Sequence, residues 1–306
     1  MIAKIFGRSN PVNFILCGLL IIVAFSFSIY TNFSSEEKSV TVNEAIGVLL
    51  ILLLSGFLID FMSKKNKINR NDSYAILLFS LWLLLISDVF TDLSVVVSNL
   101  FILFAFRRLL SLQSQLQVKQ KLFDASFWIT ISAFFEFWTI LFLLAVYAAI
   151  LIYASSKVKN WIVPLVGVIA GVVLVVLFDL MFELGVVTQI LTKVDFGFEY
   201  LTSMFNSFSL GVFLSIYLLM LAQQLMQMST YLATLQNLVK LIILWLMLGL
   251  VVYLLASDKH NGLLLYCFAP LSLIGSNFLT SLRKEWMLQV WVFLIFILAV
   301  ISLFIK

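Results

Sequence analysis

The chain has 306 residues, of which 63% are hydrophobic and 11% are charged, and its net charge is +4. Soluble domains contain roughly 45–50% apolar and about 25% charged residues, so this composition excludes a soluble globular protein. The apolar runs are long and continuous rather than alternating, which excludes a membrane barrel of strands. We therefore predict an all-α integral membrane protein.

Apolar segments between short polar breaks predict the transmembrane helices. We predict one transmembrane domain over 1–306, a bundle of ten or eleven transmembrane helices, some of them short or re-entrant. The predicted spans are 12–30, 44–62, 73–90, 93–106, 122–135, 137–155, 161–182, 208–227, 240–256, 263–281 and 286–305.

The helix count depends on the stretch KLFDASFWITISAFFEFWTILFLLAVYAAILIYASSK, residues 121–157. One straight helix of this length would run roughly 50 Å, whereas the hydrocarbon core is about 30 Å thick. A pair of short helices would instead turn near Glu136. In the first case Glu136 is a carboxylate inside the membrane, and in the second it is a polar residue in a turn.

The distribution of lysine and arginine favours the helix pair. With the N-terminus in the cytoplasm and two helices in 121–157, the inner side receives 15 of the 19 basic residues, whereas a single helix there reduces that number to 13. We therefore predict a cytoplasmic N-terminus and Glu136 on the outer side. Because topology accounts for the basic residues, we predict no nucleic-acid partner. The inner residues are Lys4, Arg8, Lys64, Lys65, Lys67, Arg70, Arg107, Arg108, Lys119, Lys121, Lys157, Lys159, Lys240, Arg283 and Lys284.

The connection 183–208 has apolar residues at helical spacing and a polar opposite face. This pattern predicts an amphipathic segment in the outer interface. The inner loop 107–121 is also partly amphipathic. These two segments are the predicted contact surfaces for partners, which we expect to be membrane lipids and other membrane or envelope proteins.

Charged residues near the ends of the spans are expected to end helices or to pair with neighbours. Asp60 lies within two turns of Lys64, and Asp124 lies one turn from Lys121. A carboxylate near the midplane would be typical of an ion-coupled transporter. Glu136 is the candidate for that role only if 121–157 is one helix.

The sequence predicts neither a metal centre nor a bound cofactor. The chain has one histidine and two cysteines, and Cys17 and Cys267 fall within apolar segments without a ligand spacing. Gly167 and Gly171 instead form a small-xxx-small face suited to close helix packing. Six tryptophans are interpreted as an interfacial belt, because most of them lie close to span ends, namely Trp128, Trp138, Trp161, Trp245, Trp286 and Trp291.

Four stretches carry a family resemblance, namely IFGRSNPVNFIL (5–16), LFAFRRLLSLQSQ (103–115), KLFDASFW (121–128) and APLSLIGSNFLTSLRKEW (269–286). They resemble an uncharacterised family of Bacteroidetes-type polytopic inner-membrane proteins. The resemblance extends over nearly the whole chain and implies a multi-pass protein of the bacterial inner (cytoplasmic) membrane, without a known activity.

A weaker likeness links 107–182 to the helical core of membrane glycosyltransferases that use polyprenyl-phosphate sugars. It rests on a short helix pair between basic segments, the second of which is SSKVKNW (155–161). Those enzymes carry a catalytic acidic residue in their first outer loop, which corresponds here to TNFSSEEKSVTVNE (31–44). The resemblance therefore implies Glu36 and Glu37 as candidate catalytic residues.

The residues show no catalytic motif, so we predict a non-enzymatic subunit or assembly partner of a cell-envelope complex. One alternative is a glycosyltransferase-like enzyme that uses lipid-linked sugars, with Glu36, Glu37 or Glu136 as its acid or base. The second alternative is a transporter of small molecules or lipids that uses Glu136.

Overall fold

The computed structural model describes residues 5–34, 42–68, 72–182, 204–256, 259–282 and 284–305. These residues form eleven α-helices and no strand, which confirms the all-α class. The helices are α1 Pro11–Ser34, α2 Val42–Lys65, α3 Tyr74–Leu85, α4 Leu93–Leu110, α5 Val118–Phe135, α6 Leu143–Tyr153, α7 Val158–Phe182, α8 Met204–Gln227, α9 Ala233–Leu255, α10 Leu265–Ser281 and α11 Glu285–Ile305.

Eight helices of the described residues are long and apolar enough to cross a membrane, namely α1, α2, α4 and α7 to α11. This result supports a multi-pass membrane protein. Two spans that the sequence predicts as short are longer in the structure, because 93–106 continues to Leu110 and 122–135 begins at Val118. The prediction placed the start of α5 too late, because the first turn of this helix, VKQK, is polar and charged and a search for apolar runs does not include it.

The chain divides into two compact units. Unit 1 consists of Met1–Val96, Phe198–Tyr231 and His260–Lys306, and unit 2 consists of Val97–Gly197 and Leu232–Lys259. The prediction of one transmembrane domain over 1–306 stays a prediction.

The predicted interfacial segment 183–208 is described only at its end. Residues 183–203 lie outside the described residues, and 204–208 form the start of α8.

The centre of unit 1 is formed by α3 and α10. Every residue of α3 is buried, as are nearly all residues of α10. The two helices pack on each other, and α3 also packs against α1, α2 and α11. Trp82 of α3 lies edge-on to Phe213 of α8, with 5.5 Å between the ring centroids. Because protein surrounds α3, its 12 residues do not need the length of a lipid-exposed span.

Two serines from neighbouring helices satisfy the end of α3. The helix stops at Leu85 and a 3₁₀ turn, Ser87–Thr91, follows. The hydroxyl of Ser302 in α11 is shared between the carbonyl of Ala299 at 2.7 Å and that of Leu85 at 3.1 Å, and Ser28 of α1 donates to the carbonyl of Ser87 at 3.1 Å. Unpaired backbone groups are costly in an apolar surrounding, so these hydroxyls allow the helix to end inside the unit.

The stretch 121–157 is a helical hairpin in unit 2. α5 ends at Phe135, a 3₁₀ turn covers Phe137–Phe142, and α6 runs on to Tyr153. Gln115, just before α5, donates from Nε2 to the carbonyl of Tyr153 at 2.9 Å, so the two ends of the pair lie side by side. The chain therefore returns to the end at which it began, and the single-helix alternative is wrong.

Hydroxyl groups at the bend explain why α5 stops without glycine or proline. Glu136 is extended, with φ −136° and ψ 105°, although its N–H still donates to the carbonyl of Ser132 at 3.1 Å. Thr139 donates from Oγ1 to the carbonyl of Glu136 at 2.8 Å and accepts a bond from Ser132 Oγ at 3.0 Å. Ser98 of α4 lies 2.7 Å from the same Ser132 hydroxyl. Side chains that bind the backbone in this way compete with helical hydrogen bonds.

A glycine seam joins α5 to α7 inside unit 2. A Cβ added to Gly167 would collide with Oγ of Ser126, and a Cβ added to Gly171 would lie 2.7 Å from Cβ of Thr130. The contacts advance together along both helices, so α5 and α7 run in the same direction. The close packing predicted for this pair of glycines is confirmed.

Trp245 lies in the core of unit 2 and not in an interfacial belt. It is 0% exposed, and its ring centroid lies 4.7 Å from that of Phe106 and 4.6 Å from that of Phe142. The prediction for this residue was wrong because a position near a span end does not reveal whether other helices cover it.

Candidate functional site

A charged pair lies in the last two turns of α2, one of the helices able to cross a membrane. Asp60 Oδ2 and Lys64 Nζ are 2.6 Å apart, and Lys64 also donates to Oγ of Ser9 at 2.6 Å. The Lys64 ammonium lies 4.8 Å from the centre of the Phe14 ring. The Asp60 side chain is 6% exposed and that of Lys64 is 26% exposed, so the carboxylate is the more enclosed partner. The pairing expected from the spacing is thus present.

The segment before α1 connects this region to the start of α3. Asn13 donates from Nδ2 to the carbonyls of Ile5 and Arg8 at 2.9 and 2.7 Å. Ser73, just before α3, donates its backbone N–H to the carbonyl of Phe6 at 2.9 Å. These bonds tie polar residues of α1 and of the α3 start to one short segment, whose Ser9 binds Lys64.

Four buried oxygens of this region have no hydrogen-bond partner among the described residues. They are Asn13 Oδ1, Asp60 Oδ1, Ser63 Oγ and Ser73 Oγ, and the four residues are 0–4% exposed. Leaving one buried polar atom unsatisfied costs about 1–3 kcal/mol, so a water molecule or an ion bound here would supply the missing contacts. We call Asn13, Asp60, Ser63, Lys64 and Ser73 the Asp60 cluster.

Asp72 adds a second carboxylate beside the Asp60 cluster. It is 9% exposed, and burial raises its pKa to about 6, although the N–H of Tyr74 at 3.3 Å and the charge of Lys64 lower it. The charge of Asp60 raises the pKa further. Asp72 is therefore ionised above about pH 6. The formal charges of Asp60, Lys64 and Asp72 then sum to about −1.

Replacing Asp72 by asparagine should remove a pH dependence of stability. The folded carboxyl holds its proton up to about pH 6, whereas the unfolded one loses it near its ordinary pKa, so stability falls as the pH rises between about 4 and 6. At pH 7 the Asp72→Asn protein should be about 2–3 kcal/mol more stable than the parent, and near pH 4 the two should be alike.

Thermal unfolding in detergent, followed by tryptophan fluorescence from pH 4 to 7.5, measures this difference. Asp124→Asn is the control, since it removes a carboxylate that pairs with Arg108 at 2.8 Å in unit 2. A Tm difference between Asp72→Asn and parent that stays constant over the whole pH range would contradict the assignment.

A second polar contact in unit 1 fixes the start of α4. His260 Nε2 lies 3.2 Å from Asp92 Oδ2, and Asp92 Oδ1 accepts the N–H of Val95 at 3.1 Å. Burial alone would raise the pKa of Asp92, but the hydrogen bond and charge of His260, with the N–H groups of Val95 and Ser94, hold it below its usual range. Asp92 thus caps a helix, and the spacing of an N-cap residue is the signal that could have revealed it.

The structure describes one of the three predicted catalytic residues. Glu136 is half-buried at the bend of the hairpin, and Glu36 and Glu37 lie outside the described residues. Within the described residues, no group of three or more histidine, cysteine, aspartate or glutamate residues is placed to hold a metal ion. Cys17 and Cys267 are both buried.

Sequence reasoning found the Asp60–Lys64 spacing but missed the residues around it. Asn13, Ser63 and Ser73 are small polar residues at the ends of apolar runs, where polar residues are common. Their relation to Asp60 and Lys64 becomes visible only in the folded structure.

A model of a family of unknown function, DUF6427, matches residues 5–306. The chain belongs to the DUF6427 family. This membership agrees with the expected resemblance to an uncharacterised family over nearly the whole chain. No curated protein and no solved structure matches the chain.

Proposed function

We propose that the protein is a transporter of the bacterial inner membrane whose unit 1 binds a small monovalent cation at the Asp60 cluster. The observation that carries this proposal is a set of four unpartnered buried oxygens on residues that the segment before α1 connects to a charged pair at the end of α2. Buried ionisable residues of helices able to cross a membrane commonly mark ion or substrate pathways.

The chemistry of the cluster suits a hard cation. Carboxylate, amide and hydroxyl oxygens are the ligands that such ions prefer. Lys64 opposes a cation at Asp60, but Asp72, once ionised, brings the sum of these three charges to about −1, which one monovalent ion would balance. Binding should therefore strengthen as the pH rises through about 6.

Thermal unfolding tests this binding without knowledge of a transported substrate. The purified protein is unfolded at pH 8 in sodium, lithium, potassium or choline chloride at equal ionic strength. One small cation should raise Tm relative to choline, by about 1.4 kcal/mol in stability at ten times its Kd. Asp60→Asn should lose the shift and Asp124→Asn should keep it. Equal Tm values in all four salts, or a shift that survives Asp60→Asn, would overturn the proposal.

The membrane arrangement is part of the same proposal. All eleven helices lie in the membrane and the N-terminus is cytoplasmic, in a bacterial, Bacteroidetes-type setting. The support is the basic-residue count, which reaches 15 of 19 on the inner side when 121–157 is a hairpin.

A non-enzymatic subunit of a cell-envelope complex is the second candidate. It is favoured by α7, in which only 17% of the most apolar stretch is buried, since such a helix leaves most of its surface for lipid or a partner. Copurification from native membranes tests it, and a stable monomer without partners would contradict it.

The glycosyltransferase-like alternative rests on Glu36, Glu37 and Glu136. A triple glutamine variant that fully complements a deletion strain would exclude these residues from catalysis.

A further inference from the structure

A polar cavity of about 490 Å³ lies in unit 2 where the ends of the hairpin meet. It is lined by the chain entering α5, by the end of α6 and by the first turn of α7. The polar residues that matter for the argument are Gln115, Gln117, Lys119, Tyr153, Lys157 and Asn160. Its volume lies within the roughly 300–1,000 Å³ of small-molecule sites.

The cavity is electropositive. Lys119 and Lys157 line it, and no carboxylate is among the described residues of its wall. The nearby carboxylate Asp124 is 2.8 Å from Arg108, which neutralises it. α7 begins at Val158, beside the cavity, so the N-terminal end of its helix dipole adds partial positive charge.

Hydrogen bonds hold the wall in shape without using the two lysines. Gln115 Nε2 binds the carbonyl of Tyr153, and Asn160 Nδ2 binds the carbonyl of Ala154, both at 2.9 Å. These two bonds fix the wall, and neither of them uses Lys119 or Lys157.

We propose that this cavity binds a phosphate group, carried either by the headgroup of an anionic lipid or by a soluble phosphorylated molecule. Two ammonium groups, amide donors and a helix N-terminus around one polar space match the charge and the acceptor oxygens of a phosphate. By the basic-residue count the cavity faces the inner leaflet, where anionic lipids attract basic residues. This site is independent of the Asp60 cluster.

The test compares the parent protein with Lys119→Gln/Lys157→Gln in nanodiscs. Phosphatidylglycerol retained by the protein after extraction into detergent is measured by native mass spectrometry, with phosphatidylcholine discs as the reference. Each lysine is expected to contribute a factor of about five, so the double variant should bind the anionic lipid about 25-fold more weakly. Lys159→Gln/Lys240→Gln is the matched control, because both side chains are exposed and neither lines the cavity.

Inorganic phosphate in lipid-free detergent distinguishes the two sources. A rise in Tm with millimolar phosphate but not with chloride, lost in Lys119→Gln/Lys157→Gln, assigns the site to a soluble phosphate. Lysine-dependent lipid retention without that rise assigns it to a lipid headgroup. Retention and Tm that are equal in the double variant and the parent, or an equal loss in the control variant, would overturn the proposal. Circular dichroism of each variant confirms that it is folded.

Discussion

Replacing Gly167 or Gly171 by alanine should lower the free energy of unfolding by about 2 kcal/mol. A Cβ on Gly167 would lie 2.7 Å from the carbonyl oxygen of Phe123, and a Cβ on Gly171 would lie 2.7 Å from Cβ of Thr130. Because part of each contact is backbone or a β-branched side chain, the helices must move apart. Overpacking of this kind costs about 1–3 kcal/mol, more than alanine gains in helix propensity.

Gly211→Ala is the matched control for the glycine seam. Gly211 is also in a helix, α8, but nothing lies within 4 Å of a Cβ added there. Alanine should therefore stabilise this position by up to about 1 kcal/mol. The Tm of Gly167→Ala, Gly171→Ala and Gly211→Ala is compared with that of the parent in one detergent. If all three substitutions change the Tm in the same direction, the close contact of α5 and α7 is contradicted.

Replacing Lys64 by methionine should destabilise the protein by about 3 kcal/mol. The substitution leaves the Asp60 carboxylate enclosed in α2 without the ammonium group that lies 2.6 Å from it. Removing one partner of a buried ion pair costs about 3–5 kcal/mol, and the partial exposure of Lys64 places the expected value at the low end.

The double variant Asp60→Leu/Lys64→Met distinguishes the interaction between Asp60 and Lys64 from the separate contribution of each side chain to stability. Replacing both charges by apolar groups of similar size is often neutral, so it should recover most of the stability lost in Lys64→Met. The coupling free energy comes from the four Tm values of the double-mutant cycle. If the losses of the two single variants simply add in the double variant, Asp60 and Lys64 do not interact as described.

Much of the helical pattern is visible in the sequence, because the requirement to satisfy the backbone in lipid leaves long apolar helices as the signal. The charge count also resolved 121–157 correctly as two helices. The reason for the bend was less visible. Glu136 ends α5 together with the hydroxyls of Ser132 and Thr139, and Ser98 comes from a different helix.

Burial inside each unit was the part that sequence reasoning could not supply. α3 is as apolar as the helices with exposed surfaces, and only packing shows that protein covers all of its sides. The interfacial position predicted for Trp245 was wrong for the same reason, because other helices cover this side chain completely. The Asp60 cluster combines residues of α1, α2 and the start of α3, and no spacing within one segment connects Asn13 to Ser73.

The proposed membrane topology depends on the hairpin, and cysteine labelling tests it directly. In a protein with Cys17 and Cys267 replaced by alanine, Glu136→Cys is compared with Ser156→Cys at the other end of α6. An impermeant thiol reagent added to intact spheroplasts should label position 136 promptly and position 156 only after the membrane is opened. Protection of position 136 before and after opening, or equal labelling of both positions from outside, would contradict a hairpin whose two ends lie in the cytoplasm.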